Sequence, residues 1–130
     1  MTMKPNPIVW FEIYVQDMAR ARAFYEAVFQ CTLEPLAAPE GEAGGMDMLS
    51  FPMEMNAPGA GGMLVRMDGV PPGGGGTLVY FGCEDCAAEQ SRVEAAGGKI
   101  HKPKFSIGPY GFCAVVADTE GNCIGLHSMQ

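Results

Sequence analysis

The first strong pattern along the chain is a short run of β-branched and aromatic residues followed by an amphipathic helix. Residues 9–15 are rich in Val, Ile, Phe, Trp and Tyr, which favours a strand. Asp17 then predicts a helix N-cap, because its carboxylate can accept hydrogen bonds from the free amides of the first turn. Apolar residues recur beyond it at three- and four-residue steps, which predicts a helix over 18–30 with one apolar face. These residues are Met18, Ala21, Phe24, Tyr25, Val28 and Phe29.

The same order of elements returns 68 positions further along the chain. A shift of 68 positions superposes Asp17 on Asp85, and each aspartate stands between a strand pattern and a helix pattern. The second strand is predicted over 77–83. The glycines at 97–98 end the second helix, since glycine readily takes the left-handed conformation found after many helices.

Three further strands are predicted after each helix. They lie at 31–37, 46–52 and 62–67 in the first copy, and at 99–104, 111–117 and 122–128 in the second. Between the last two, 118–122 predicts a hairpin turn in which Gly121 and Asn122 take positive φ. Each copy therefore has the order βαβββ, and the predicted fold class is α+β with two tandem modules.

Proline and glycine separate the two copies. Two prolines and four glycines within 70–76 exclude regular structure there and favour a linker. We place module 1 at about 6–68, the linker at 69–76 and module 2 at about 77–128, all within one domain over 1–130. A module of about 60 residues would have a one-sided sheet too small to fold alone.

Composition narrows the classes of function. The net charge of −7 and the lack of a long basic run argue against nucleic acid as a partner, because neutralising phosphates drives such binding. The longest apolar runs are far shorter than the roughly 20 residues of a membrane span, so we expect no membrane association. Five cysteines are an odd number without regular spacing, which favours a reducing compartment and a cytoplasmic protein with mostly buried cysteines.

Four segments together resemble one known family. They are FEIYVQDMARARAFYEAVF at 11–29, GGMLV at 61–65, VEAAGGKI at 93–100 and ADTEGNCIGL at 117–126. In this order they are similar to the vicinal oxygen chelate superfamily, which contains glyoxalases, bleomycin resistance proteins and extradiol dioxygenases. The resemblance covers about 6–128, and Thr119 departs from it by standing where proline is usual.

The resemblance implies two modules that form a cupped, half-barrel-like mixed sheet around a cavity, often in a homodimer. It does not imply one reaction, because the fold hosts lyases, dioxygenases and drug-binding proteins. Enzymes of the superfamily hold a divalent metal at four positions. Here these fall on Trp10, Leu78, Gly125 and a residue near Met63, which are unsuited to hold such an ion. We therefore predict a divergent member with no metal site and no cofactor.

Strand alternation predicts which residues face the cavity. Trp10, Glu12 and Tyr14 share one face of the first strand, and Tyr80 takes the corresponding face in the second module. Tyr110 and Phe112 are expected at the rim of the cavity, where Gly125 would leave room. These six aromatic and acidic residues are the predicted ligand-binding set. For Trp10 and Tyr80, packing in the core is the alternative.

Two residues are candidates for acid–base chemistry. Glu12 is a carboxylate in an apolar strand, so it must be paired, solvated by a cavity or neutral, and it could serve as a base or as an anchor for a cation. A carboxylate satisfied by a backbone amide or an arginine is the alternative. His127 could pair with Glu12, or could be a surface or dimer-contact residue. Cys83 and Cys86 form a CxxC that lacks the second pair of a zinc site.

Three functions remain open on the sequence alone. The favoured one is a metal-free protein that binds a small, partly aromatic or hydrophobic molecule. The alternative is an enzyme of the lyase or dioxygenase type with a non-standard site that uses Glu12, His127 or both. The third is a subunit whose altered cup only supports dimerisation.

Overall fold

In the described residues, each half of the chain contains one strand, then one α-helix, then three strands. The computed structural model describes residues 10–37, 46–54, 56–73 and 78–130. Module 1 contains β1 Trp10–Tyr14, α1 Met18–Phe29, β2 Glu34–Leu36, β3 Met46–Ser50 and β4 Gly61–Met67. Module 2 contains β5 Val79–Gly82, α2 Cys86–Val93, β6 Lys99–Ser106, β7 Phe112–Ala117 and β8 Cys123–Ser128. Neither helix in these described ranges is long and apolar enough to cross a membrane.

The two modules have the same sheet topology. The strand order is β1-β4-β3-β2 in the first sheet and β5-β8-β7-β6 in the second. The first strand of each module pairs in parallel with the last, and the other pairings are antiparallel. The predicted α+β fold of two βαβββ modules is confirmed, with two mixed four-stranded sheets that do not close into a barrel.

The predicted helix caps are present. The Asp17 side chain accepts a hydrogen bond from the Arg20 amide at 3.0 Å, and the Asp85 side chain accepts one from the Ala87 amide at 3.0 Å. Gln30 ends α1 in the left-handed region at φ 52°, so the helix stops one residue earlier than predicted.

The second strand is much shorter than the predicted 31–37. The residues just before it bond to α1 and not to a strand. The Leu33 amide donates to Glu26 Oε2 at 2.9 Å, and the Leu33 carbonyl accepts from Arg22 at 3.0 Å. The main chain before β2 therefore bonds to side chains of the helix instead of a neighbouring strand.

One face of each sheet packs against the helices and forms the core. Aromatic rings join the two modules there: Phe29 stacks on Phe81 with ring centroids 4.7 Å apart, and Phe11 meets Phe81 at 5.5 Å. Aromatic pairs of this kind stabilise beyond the area they bury. The modules thus share one apolar core, which includes Ile13, Tyr25, Leu64, Val116, Ile124 and Leu126.

A polar network at the β7–β8 turn also joins the modules. Tyr25 Oη donates to Asp118 Oδ2 at 2.8 Å, and Asn122 Nδ2 donates to the carbonyl of Tyr14 at 3.0 Å. The predicted turn is present, and Gly121 has φ 83°. The prediction of positive φ at Asn122 was wrong: its side chain bonds Asp118 and Tyr14, and its backbone stays outside the left-handed region.

Candidate functional site

The face of the first sheet opposite α1 carries a cavity of about 390 Å³, which we call the first-sheet cavity. This volume lies within the range of about 300 to 1,000 Å³ typical of small-molecule sites. Its lining comes from β1, β3, β4 and the end of β2: Trp10, Glu12, Tyr14, Leu36, Ala37, Met46, Met48, Met63, Val65 and Met67. Ten residues from four strands thus converge on one open and mainly apolar surface.

Strand alternation and pairing register explain this lining. Ile13 and Val15 point into the core, so Trp10, Glu12 and Tyr14 point to the opposite face. Glu12 pairs with Met63, which places that methionine beside the carboxylate. The register therefore identifies Met63 as the residue of the fourth strand that lies next to Glu12 in the cavity.

The carboxylate of Glu12 is held by its two aromatic neighbours on β1. Tyr14 Oη donates to Glu12 Oε1 at 2.7 Å, and Trp10 Nε1 donates to Glu12 Oε2 at 3.3 Å. Among the described residues, neither an arginine nor a backbone amide, the partners considered from the sequence, is bonded to Glu12. The hydrogen bond to Glu12, together with burial and the negative charge, raises the pKa of Tyr14 above its ordinary value. Tyr14 therefore remains a protonated donor at neutral pH.

Four methionines form much of the apolar wall, and the sequence pattern did not single them out as binding residues. They are Met46, Met48, Met63 and Met67, which are buried or half-buried. Their thioether side chains are flexible and polarisable, so such a wall can adapt to ligands of different shape. The available signal was Met at even spacing, two residues apart on β3 and four apart on β4, but only the pairing of β3 with β4 places the four on one face.

The remaining predicted residues lie on the second sheet. Tyr80 is 51% exposed, and a Cβ at Gly125 would lie 2.2 Å from its ring, so the Tyr80 ring fills the space that this glycine leaves. His127 Nε2 lies 2.7 Å from the carbonyl oxygen of Tyr110, which is 73% exposed in a 3-10 turn. Phe112 packs against the core face of its sheet. Phe112 therefore lies on the opposite face from Tyr80.

The structure thus brings together three of the six predicted ligand-binding residues. Trp10, Glu12 and Tyr14 line the first-sheet cavity, whereas Tyr80, Tyr110 and Phe112 do not line it. The two acid–base candidates also bond to different partners, since Glu12 accepts from its β1 neighbours and His127 contacts the main chain of Tyr110. Within one chain they do not form a hydrogen-bonded acid–base pair.

The residues at the metal positions of the superfamily do not suit a divalent ion. The indole nitrogen of Trp10 is only a donor, Leu78 and Gly125 have no ligating side-chain atom, and the Met63 thioether is a weak ligand for hard ions. Within the ranges that the structure describes, no three His, Cys, Asp or Glu side chains form a group that could hold a metal.

The two cysteines of the CxxC differ in burial. Burial, with smaller contributions from Glu89 and other neighbours, raises the pKa of Cys83 to about 12. Cys86 is fully buried at the start of α2. A thiol with such a high pKa is a poor nucleophile at neutral pH. Burial is less general among the cysteines than predicted, because Cys123 is exposed and two others are half-buried.

A second cavity of about 430 Å³ lies between α1 and the strands β2 and β3. Its lining includes Arg22 and Asp47, and both are already engaged in ion pairs, Arg22 with Glu26 at 3.0 Å and Asp47 with Arg66 at 2.9 Å. The charged groups of this second cavity are therefore already paired, and none of the predicted site residues lines it. The first-sheet cavity is the stronger candidate.

Comparisons with known proteins agree with this architecture. The family model described as Glyoxalase/Bleomycin resistance protein/Dioxygenase superfamily matches residues 7–126. The Anthracycline biosynthesis protein DnrV of Streptomyces peucetius is 29% identical over 125 residues, which cover 90% of this chain and 45% of that protein. The chain spans 43% to 45% of the length of the curated relatives that it matches.

Solved structures show the same fold. TnmS3, an antibiotic binding protein from Streptomyces sp. CB03234, is 25% identical with a TM-score of 0.64, and the match covers 98% of both chains. A V278E mutant of glyoxalase I from Zea mays superposes with a TM-score of 0.73 at 21% identity, over 96% of this chain and 47% of that chain.

Proposed function

Because the chain belongs to the glyoxalase/bleomycin resistance protein/dioxygenase superfamily, we propose that it binds a small, partly aromatic or hydrophobic molecule in the first-sheet cavity. The observation that carries the proposal is that cavity itself, with apolar walls and one cluster of polar groups around Glu12. A few placed polar groups in an apolar concave surface are typical of ligand sites. The similarity to an antibiotic binding protein and to a protein of anthracycline biosynthesis supports the same class of ligand.

We further propose that this binding needs no metal or other cofactor. Support comes from the residues at the four metal positions of the superfamily. None of their side chains offers a nitrogen or oxygen atom that can bind a metal. Metal analysis of the protein purified without chelator is expected to find no stoichiometric Ni, Zn, Mn or Fe. One equivalent of any of these per chain would contradict this part of the proposal.

An enzyme with a non-standard site is the second candidate. It is favoured by the 2.7 Å hydrogen bond between Tyr14 and Glu12, because a tyrosine and a carboxylate in one cavity can hold and move a proton. In this function Glu12 would act as the base, and His127 would assist only if it reached the site from another chain. The binding function is preferred, since Glu12 and His127 do not contact each other within the chain.

The partner of the protein in solution is proposed to be a second copy of itself. The open face of the second sheet exposes Tyr80 at 51%, and the turn before β7 exposes Tyr110 at 73%. Exposed apolar patches often mark interfaces. Two copies of this chain would also approach the length of the relatives of which it spans less than half. The odd number of cysteines without regular spacing supports the further proposal of a reducing, cytoplasmic location.

A thermal-shift and fluorescence experiment tests the binding function. Trp10 is the single tryptophan of the chain and lines the cavity, so a bound aromatic compound is expected to quench its fluorescence. A panel of planar aromatic compounds that includes an anthracycline serves as probe. Trp10→Ala should abolish the thermal shift of a binding compound.

The matched control is Leu78→Ala. Leu78 corresponds to Trp10 in the 68-residue repeat and has the same exposure of 37%, but it lies outside the cavity. We expect this variant to keep the thermal shift. If no compound shifts the wild-type protein, or if both variants lose the shift equally, the cavity is not the binding site.

A further inference from the structure

The carboxylate of Glu12 can accept more hydrogen bonds than the two it receives from Trp10 and Tyr14. An ionised carboxylate has about four acceptor positions on its two oxygens. Two of them receive the hydrogen bonds from Tyr14 Oη and Trp10 Nε1. Both donors are neutral groups, so they orient the carboxylate without cancelling its charge. The remaining positions are available to a ligand in the cavity.

In the described part of the chain, no Lys, Arg or His side chain is hydrogen-bonded or ion-paired to this carboxylate. The ten described residues that line the cavity include no Lys, Arg or His. Arg66 on β4 alternates to the face opposite Met63 and Val65, and its guanidinium is bound to Asp47 at 2.9 Å and Asp68 at 3.1 Å. The lining therefore carries one negative charge, at Glu12.

The rings beside the carboxylate suit a positive group as well. Trp10 and Tyr14 flank Glu12 on the same face of β1, and Trp10 is 37% exposed. The faces of aromatic rings, with Trp and Tyr among the best, attract ammonium and guanidinium groups electrostatically. A cation bound at a free acceptor position of Glu12 would lie close to both aromatic side chains, because each of them is hydrogen-bonded to that carboxylate. The neighbouring methionines of the cavity would contact the apolar part of the same ligand.

We propose that the ligand of the first-sheet cavity is a lipophilic organic cation, with an ammonium or amidinium group bound at Glu12 between Trp10 and Tyr14. This inference rests on the binding function proposed above and adds the charge of the ligand. The apolar or aromatic body packs on Met48, Met63 and Val65. An anionic ligand is disfavoured, because it would face the Glu12 charge and would find no cation among the described lining residues to pair with.

Three probes that share a naphthyl group but differ in charge test whether the cavity prefers a cation. They are (2-naphthylmethyl)trimethylammonium, its neutral isostere in which carbon replaces the quaternary nitrogen, and 2-naphthylacetate. Equilibrium dialysis at low salt gives the three dissociation constants. We expect the ammonium probe to bind at least tenfold more tightly than the neutral isostere, and the acetate probe to bind most weakly. The affinity of the ammonium probe should fall with added salt, whereas that of the neutral isostere should not.

The variants assign the preference to one side chain. Glu12→Gln is expected to remove the preference for the ammonium probe and to leave the affinity of the neutral isostere within twofold. Glu84→Gln is the matched control, because it removes the same charge at an exposed position of module 2. It should keep the preference. The melting temperature of each variant shows whether the fold is retained, and the salt dependence in the wild-type protein tests the inference independently of any variant.

The outcomes separate this inference from the binding function. Equal affinity for the ammonium probe and its neutral isostere in the wild-type protein would overturn the charge assignment while supporting an apolar site. A preference that survives in Glu12→Gln would also overturn it. Failure of all three probes to bind would overturn both the charge assignment and the proposed cavity.

Discussion

Replacing Glu120 by alanine is expected to weaken the attachment of the two modules to each other. The Glu120 carboxylate belongs to the β7–β8 turn of module 2, and its side chain is 1% exposed. It accepts hydrogen bonds from the amides of Gln16 and Asp17 in module 1, at 3.1 and 3.0 Å. Arg20 Nη2 of α1 lies 2.7 Å from the same carboxylate. One acidic side chain therefore holds the junction between β1 and α1.

The size of the effect follows from these contacts. Each hydrogen bond from a backbone amide to the buried carboxylate contributes about 1 kcal/mol or slightly more to stability. The ion pair adds only about 0.5 kcal/mol, because the Arg20 side chain is 51% exposed and screened by water. We expect Glu120→Ala to lower the free energy of unfolding by about 2 to 3 kcal/mol. For a chain of this size that corresponds to a fall of about 10 °C in melting temperature.

Urea denaturation followed by circular dichroism at pH 7 measures this loss. Glu120→Gln should be intermediate, since its amide oxygen can still accept from a backbone amide. Glu94→Ala, at an exposed position that ends α2, is the control and should change stability by less than about 0.5 kcal/mol. If Glu120→Ala is no less stable than this control, the carboxylate does not hold the modules together.

Three further predictions concern packing and titration. Gly62→Ala should lower the free energy of unfolding, measured by urea denaturation, by about 2 to 3 kcal/mol. The added Cβ would lie 2.3 Å from the Phe11 ring, which is packed in the aromatic core. Gly125→Ala should cost less, about 1 kcal/mol, since the Tyr80 ring it meets is half-exposed and can turn away; an equal cost for the two variants would contradict this reasoning. Burial, with Asp118 beside it, raises the pKa of Tyr25 well above 10, so the unfolded chain loses that proton first as pH rises. The contribution of Tyr25 to the free energy of unfolding is complete below pH 10 and declines above it, by up to about 1.4 kcal/mol per pH unit. Between pH 9 and 11, the free energy of unfolding of Tyr25→Phe should therefore decline less steeply than that of the wild-type protein.

Local chemistry explains why so much of the fold could be predicted. The helix caps at Asp17 and Asp85 depend on side chains and amides within three residues of each other. The common face of Trp10, Glu12 and Tyr14 follows from the two-residue period of a single strand. The 68-residue repeat then extended both observations to the second module. That these three residues bind a ligand stays a prediction.

Contacts between distant parts of the chain could not be predicted in the same way. The β7–β8 segment was interpreted as a hairpin turn, yet Asp118, Glu120 and Asn122 bond to module 1 across about 100 positions. The second strand was predicted too long for a similar reason. The groups of Leu33 that a strand would have used are bound by Arg22 and Glu26 of the preceding helix.

The sequence by itself determined the two modules, their order of elements and the common face of Trp10, Glu12 and Tyr14, because period, capping and repetition are properties of neighbouring residues. Only the tertiary structure decided that four methionines form the wall of the cavity, since that depends on the register of β3 and β4 with β1. It also decided that Tyr80 and His127 do not line the cavity that contains Glu12. Strand pairing joins residues far apart in the chain, and no local pattern of a single strand specifies its partner.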